Sequence, residues 1–140
     1  MTPGSGGTWR GGRRYSSKGG KRADLDGLYV RSTWEANIAR ILVLLVEAGV
    51  IDKWEYEPDE FEFHKISRGT RFYKPDFRVW YGSGLEPVYW EVKGYMDRVS
   101  QTKLNRMARY YPDVTIIVID REFYKEAERL FKSSIPEWEE

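Results

Sequence analysis

Residues 114–119 are Val, Thr, Ile, Ile, Val and Ile, six β-branched side chains in succession. Side chains of this kind are stiff at χ1 and pack well on a pleated surface, so the run predicts a strand. With no polar residue but Thr115 in it, the strand is expected to be buried on both faces. The segments around it supply the covering layers. Residues 99–111 place Leu104, Met107 and Ala108 at helical spacing, with Lys103, Arg106 and Arg109 largely on the opposite side, and residues 122–132 read as a further helix. A sheet flanked by helices, an α/β fold, is therefore the expected class.

Earlier in the chain, Ser32-Thr33-Trp34-Glu35 pairs a capping residue with a Glu three positions on. Trp34, Ile38, Ile41, Leu42, Leu45 and Val46 continue at helical spacing, which predicts a helix over 32–48 closed by Gly49. Residues 53–57 and 60–64 alternate aromatic and polar side chains as half-buried strands do, with Pro58 between them. A turn at 67–70 precedes a third strand over 71–81, in which Pro75 must occupy a bulge or an edge because it has no N–H to donate. Gly82-Ser83-Gly84 predicts a tight hairpin into a fourth strand over 87–93. The expected order is α-β-β-β-β-α-β-α around a mixed central sheet, with no internal repeat and no second domain.

Composition narrows the chemistry. At 140 residues the chain is long enough to bury a core without staples. It has no cysteine and a single histidine, His64, so disulfides, thiolate nucleophiles, zinc ribbons and histidine-rich metal sites are excluded. Any metal must be held mainly by oxygen, which favours Mg²⁺, with Mn²⁺ as a substitute. The apolar stretch 38–46 is interrupted by Arg40 and is far too short to span a bilayer, and no apolar leader is present. These features lead to the expectation of no membrane partner and a cytoplasmic, intracellular location, a host's cytoplasm if the chain is phage-encoded.

The net charge of +1 conceals an asymmetry. Residues 1–23 carry Arg10, Arg13, Arg14, Lys18, Lys21 and Arg22, no acid and many glycines, whereas residues 24–140 hold 17 Lys and Arg against 22 Asp and Glu. The chain reads as a flexible basic arm, 1–23, on a single acidic domain, 24–140. The arm is either a phosphate-backbone contact, with Trp9 and Tyr15 available to stack on bases, or a solvated leader.

The chemistry concentrates between Pro75 and Gly94. In a strand over 87–93, Glu91 and Lys93 project from one face while Trp90 and Val92 project from the other. If the hairpin forms, Asp76 lies on the adjacent strand, near enough to Glu91 for the two to share a cation, and Glu35 sits early in the first helix. Clustered carboxylates repel, and a hard divalent cation relieves that repulsion. Lys93 is suited to holding a water or to stabilising charge on a reacting phosphorus. Each residue also has a plainer reading: Glu35 as a capping-box acid, Asp76 as a turn residue, Glu91 and Lys93 as a charged strand edge. Glu55 and Glu57 read as a solvated face, His64 as a surface histidine, Gln101 and Lys103 as candidate DNA or active-site contacts, and Arg106 as a candidate DNA contact.

Pro75-Asp76 followed by Glu91-Val92-Lys93 resembles the PD-(D/E)xK nuclease motif, and the helical Glu35 resembles the further acid that many members supply. Over residues 30–120 the strand and helix order is similar to that restriction-endonuclease-like core. Within the superfamily, Ser-x-x-Glu, the aromatic-acidic strand, Pro-Asp-Phe, Glu-x-Lys-Gly and the basic helix look most like the phage endonuclease I type of Holliday-junction resolvase. The resemblance implies Glu35, Asp76, Glu91 and the Val92 carbonyl as metal ligands and Lys93 as the catalytic lysine. It further implies a Mg²⁺-dependent endonuclease that leaves 5′-phosphates, selects branched DNA and acts as a homodimer, with residues 58–71 a candidate segment for exchange between copies. The alternatives are a nicking or end-cleaving nuclease subunit of a phage, transposon or restriction system, and a non-catalytic DNA-binding module.

Overall fold

The computed structural model describes residues 18–140. In chain order its regular elements are β1 (Gly20–Arg22), β2 (Leu28–Val30), α1 (Thr33–Glu47), β3 (Lys53–Tyr56), β4 (Phe61–Glu62), β5 (Phe72–Tyr73), β6 (Phe77–Trp80), β7 (Val88–Val92), α2 (Arg98–Tyr110), β8 (Ile116–Ile119) and α3 (Arg121–Phe131). The central sheet runs β3-β6-β7-β8. β6 is antiparallel to β3 and to β7, and β8 is parallel to β7, reached through α2. The described residues thus form a mixed α/β fold with three α-helices.

α1 begins where the capping signal placed it: the Ser32 hydroxyl accepts from the Glu35 amide at 3.1 Å, and Gly49 takes φ 75° just past the end. Its apolar stripe (Ile38, Ile41, Leu42) packs with Phe77, Val79, Trp90 and Ile119 of the sheet and with Tyr124 and Ala127 of α3. Trp34 stacks flat on Tyr124, ring centroids 4.0 Å apart. A second, smaller cluster of Phe63, Tyr73 and Met107 joins the short β4–β5 hairpin to α2. Tyr110 and Tyr111 of that region donate to the carbonyls of His64 and Glu62, at 2.8 and 2.6 Å, and the Arg106 guanidinium donates to the Thr70 carbonyl.

Four expectations need correction. The strand expected over 71–81 is two strands, because buried Pro75 has no N–H for a ladder; β5 pairs with β4 and β6 with the main sheet. The β-branched run meets both apolar clusters, Ile117 and Ile119 on one face and Val114 and Ile116 on the other, but it is an edge strand paired with β7 alone, so Ile116, Ile117 and Val118 are half-buried rather than fully covered. The β6–β7 connection spans 81–87 and is wider than a tight hairpin turn. Residues 20–22, expected at the end of the flexible arm, form β1 against β2, and Arg22 is paired to Glu139 at 2.6 Å.

That last pairing belongs to a clasp. Arg40, on α1, reaches Asp24 at 2.8 Å and Glu139 at 2.9 Å, while Asn37 donates to the Glu139 carbonyl and to the Tyr124 hydroxyl. The clasp fixes the N-terminal hairpin and the C-terminal segment to α1, on the helix whose first turn carries Glu35.

Candidate active site

β7 has an antiparallel neighbour on one side and a parallel one on the other, and the chain leaves the sheet at its carboxyl end, the place where open α/β sheets tend to bind ligands. The Phe77–Trp90 pairing brings Asp76 and Glu91 to neighbouring positions there. Phe77, Trp90 and Val92 face the main core, so Asp76, Glu91 and Lys93 fall on the other side of the strands, as period-two alternation predicts. Glu35 arrives from the α1 side. Glu35, Asp76 and Glu91 are only 8 %, 7 % and 8 % exposed, unusual for carboxylates.

Each carboxylate is gripped by a protein donor. The Tyr56 hydroxyl and the Arg31 amide both donate to Oε1 of Glu35, at 2.6 and 3.1 Å. The Val92 amide donates to Oδ2 of Asp76 at 2.7 Å, and the Tyr73 hydroxyl donates to Oε1 of Glu91 at 2.8 Å. Lys93 Nζ stands 3.9 Å from Oε2 of Glu91. The second oxygens of Glu35 and Asp76 accept no hydrogen bond among the described residues.

The electrostatics follow from burial and crowding. Desolvation pushes the Asp76 carboxyl well above the usual carboxylate range, and the neighbouring charges of Glu91 and Glu35 push it further, against the Val92 amide and Lys93. Burial likewise raises Glu35 and Glu91, each opposed first by its tyrosine. In turn, burial and the adjacent carboxylates hold the Tyr56 and Tyr73 hydroxyls as firm proton donors, far above the ordinary phenol range. Among the described residues no three His, Cys, Asp or Glu side chains are placed as a ready-made cation cage. Glu35 is turned onto Tyr56 of the main-core face, and Glu91 onto Tyr73 of the opposite face.

A cleft of about 280 Å³ opens beside Glu35, lined by Arg31, Glu35, Val92, Lys93, Tyr95 and Asp97; Asp76 and Glu91 do not line it. At ~30 Å³ per water the cleft has the volume of roughly nine waters. Arg31 at the rim is tied to Glu57 at 2.7 Å, and Glu57 itself takes φ 48°, a left-handed conformation costly for a non-glycine residue.

No family model, curated protein or solved structure matches the chain.

The structure brings together Glu35, Asp76, Glu91, Val92 and Lys93. It does not gather the expected DNA contacts into one patch. Arg10, Arg13 and Arg14 lie outside the described residues; Lys18 and Lys21 are exposed at the N-terminal hairpin; Arg22 is engaged by Glu139; Lys103 and Arg106 are half-buried on α2, where Arg106 holds the β4–β5 turn. Residues 58–71 fold back onto α2 of their own chain. Glu55 is exposed as expected and pairs with Arg78 at 3.2 Å, while half-buried Glu57 pairs with Arg31; His64 is exposed. Sequence reasoning missed Tyr56 and Tyr73. Tyr56 looked like one of the alternating apolar positions of its strand, and Tyr73, which alternation within one continuous strand over 71–81 would have put on the face opposite Asp76, reaches Glu91 because the chain changes sheet at Pro75.

Proposed function

We propose that the protein is a Mg²⁺-dependent DNA endonuclease that hydrolyses phosphodiester bonds, selective for branched DNA. The observation that carries the reading is the convergence, at the carboxyl end of β7, of three buried acids, with the Lys93 ammonium 3.9 Å from Glu91. Burying three carboxylates so close together costs free energy unless a cation compensates them. The donor chemistry fits a hard divalent ion: all candidate ligands are oxygens, and Glu35 and Asp76 each keep one oxygen outside the protein's own hydrogen bonds. Glu35, Asp76, Glu91 and the Val92 carbonyl would hold it, and when bound it supplies polarisation of a phosphate oxygen and acidification of a water.

The chain's own groups do the rest. Lys93 orients a water or neutralises negative charge building on the phosphate, and its position two residues after Glu91 keeps it on the same face as the acids. Arg31 and Tyr95 line the approach for the nucleic-acid backbone. The test is cleavage of a four-way junction beside a matched linear duplex in Mg²⁺. Junction cleavage lost in Asp76→Ala and Lys93→Ala proteins is the expected outcome; unaltered cleavage by either variant sinks the mechanism. The lack of a preassembled cation cage favours a second reading, a polyanion-binding module without turnover. Calorimetry of Mg²⁺ or Mn²⁺ binding to the parent and to Glu91→Gln separates the two, since a binding-only module shows no loss.

A further inference from the structure

We propose that the β4–β5 hairpin, together with the outer face of α2, forms the surface that grips the phosphate backbone of double-stranded DNA. The inference rests on the nuclease reading for its choice of polyanion, but its observations are separate. Residues 64–74 carry Lys65, Arg68, Arg71 and Lys74 and no acid, and α2 carries Arg98, Lys103, Arg106 and Arg109 and no acid. The other nine Lys and Arg of residues 24–140 share that domain with 22 Asp and Glu, so positive charge is concentrated on these two adjoining elements.

The hairpin cations are available. Lys65, Arg68, Arg71 and Lys74 are all exposed, and among the described residues none of them takes part in an ion pair. Arg31, Arg40 and Arg78, by contrast, are each bound to a carboxylate. The acids that flank the segment in sequence are Glu62 on β4 and buried Asp76 of the carboxylate cluster. The surface is also fixed in place: Tyr110, Tyr111 and Arg106 of α2 and its C-terminal end hold the carbonyls of His64, Glu62 and Thr70, and Phe63 is buried between the two elements. Phe72 is 43 % exposed with the Arg71 guanidinium 5.4 Å over its ring, an aromatic platform beside the cations.

Strand alternation connects this surface to the acids. Phe72 and Lys74 face outward, while Tyr73 between them turns inward and donates to Glu91. A backbone held by Arg71 and Lys74 therefore lies next to the carboxylate cluster. Phosphate contacts of this type position a duplex without reading its sequence, so binding is expected to be sequence-independent and steeply dependent on salt.

The experiment is fluorescence anisotropy of a short labelled duplex with the full chain in chelator, where cleavage does not intervene, across a salt series. Three double variants are compared: Arg68→Gln with Arg71→Gln, Lys65→Gln with Lys74→Gln, and, as a control of equal charge on α3, Lys125→Gln with Arg129→Gln. At ~0.9 in log–log slope per phosphate contact, each hairpin variant is expected to flatten the salt dependence by about 2 and to lose about tenfold or more in affinity. The control is expected to stay within about twofold, with melting curves confirming that all are folded. Hairpin variants that bind like the parent, or a control that loses as much as they do, overturn the proposal. So does a loss confined to anionic phospholipid vesicles with duplex binding intact. Duplex binding lost in the hairpin variants with no cleavage by the parent counts against the nuclease reading alone; junction cleavage with hairpin-independent binding counts against this surface alone.

Discussion

Two hydroxyls decide how the acids are aimed. Tyr56 and Tyr73 each occupy one oxygen of a carboxylate and leave the other to be presented elsewhere, which on the proposed function would orient the acids toward a cation. Replacing either with Phe removes one hydrogen bond, expected to cost about 1 kcal/mol of stability, and is expected to weaken Mg²⁺ binding about tenfold by calorimetry. Asp76 predicts the opposite trend for stability. Its charge is opposed by burial and by Glu91 and Glu35, so Asp76→Asn is expected to abolish cleavage while raising the melting temperature of the metal-free protein by ~4 °C, the equivalent of about 1 kcal/mol in a chain of this size. Differential scanning fluorimetry in chelator measures it, and an unchanged or lower melting temperature contradicts the assigned electrostatics. At this scale the sequence was informative about identity and silent about orientation. Spacing singled out Asp76, Glu91 and Lys93, and the capping pattern singled out Glu35. It could not show that the Glu35 carboxylate passes over the Ser32 amide that a capping-box acid would take and is held instead by the Arg31 amide and the Tyr56 hydroxyl, while the Glu35 amide donates to Ser32.

Elements were legible where local chemistry punctuates them and less so where partners decide. Ser32, Asp97 and Asp120 cap the three helices, each accepting from the amide three residues on, and the helix boundaries expected from pattern agree to within a residue or two. Ser32→Ala is accordingly expected to cost about 1 kcal/mol and to lower cleavage as well, because the same turn positions Glu35. The strands were harder. A β-branched run specifies extended backbone and the preference for burial but not the number of neighbours, and β8 has β7 alone. Pro75 announced a break without saying that the two halves would join different sheets. The exposed cations of residues 64–74 were visible as letters, yet their importance came from the ion pairs that other cations make and these do not.

Across the whole molecule, stability has opposing dependences on pH. The carboxyls of Glu35, Asp76 and Glu91 are raised in the folded state, so their contribution is fully favourable below the unfolded values near ~4 and is lost as pH rises through the folded ones. Asp24 is lowered by its bond to Arg40, and Glu139, although burial opposes it, is lowered by Arg22 and Arg40. Their contribution is present above the unfolded values and is lost as pH falls through the folded ones. The metal-free protein is therefore expected to be most stable at mildly acidic pH, and Mg²⁺ to move that maximum toward neutrality; melting curves over pH with and without Mg²⁺ test this. Arg40→Met opens the clasp between both ends of the described chain, with an expected loss of about 2 kcal/mol by urea unfolding. The split at Pro75 has a consequence for heat. Asp76 is the junction between two separately packed apolar clusters, the larger built on α1 and the smaller on α2 and the hairpin. The smaller cluster has less buried surface to resist loosening, and Tyr73 ties it directly to Glu91. On warming, cleavage is thus expected to fail several degrees before the chain melts, at the temperature where the two bodies begin to move independently.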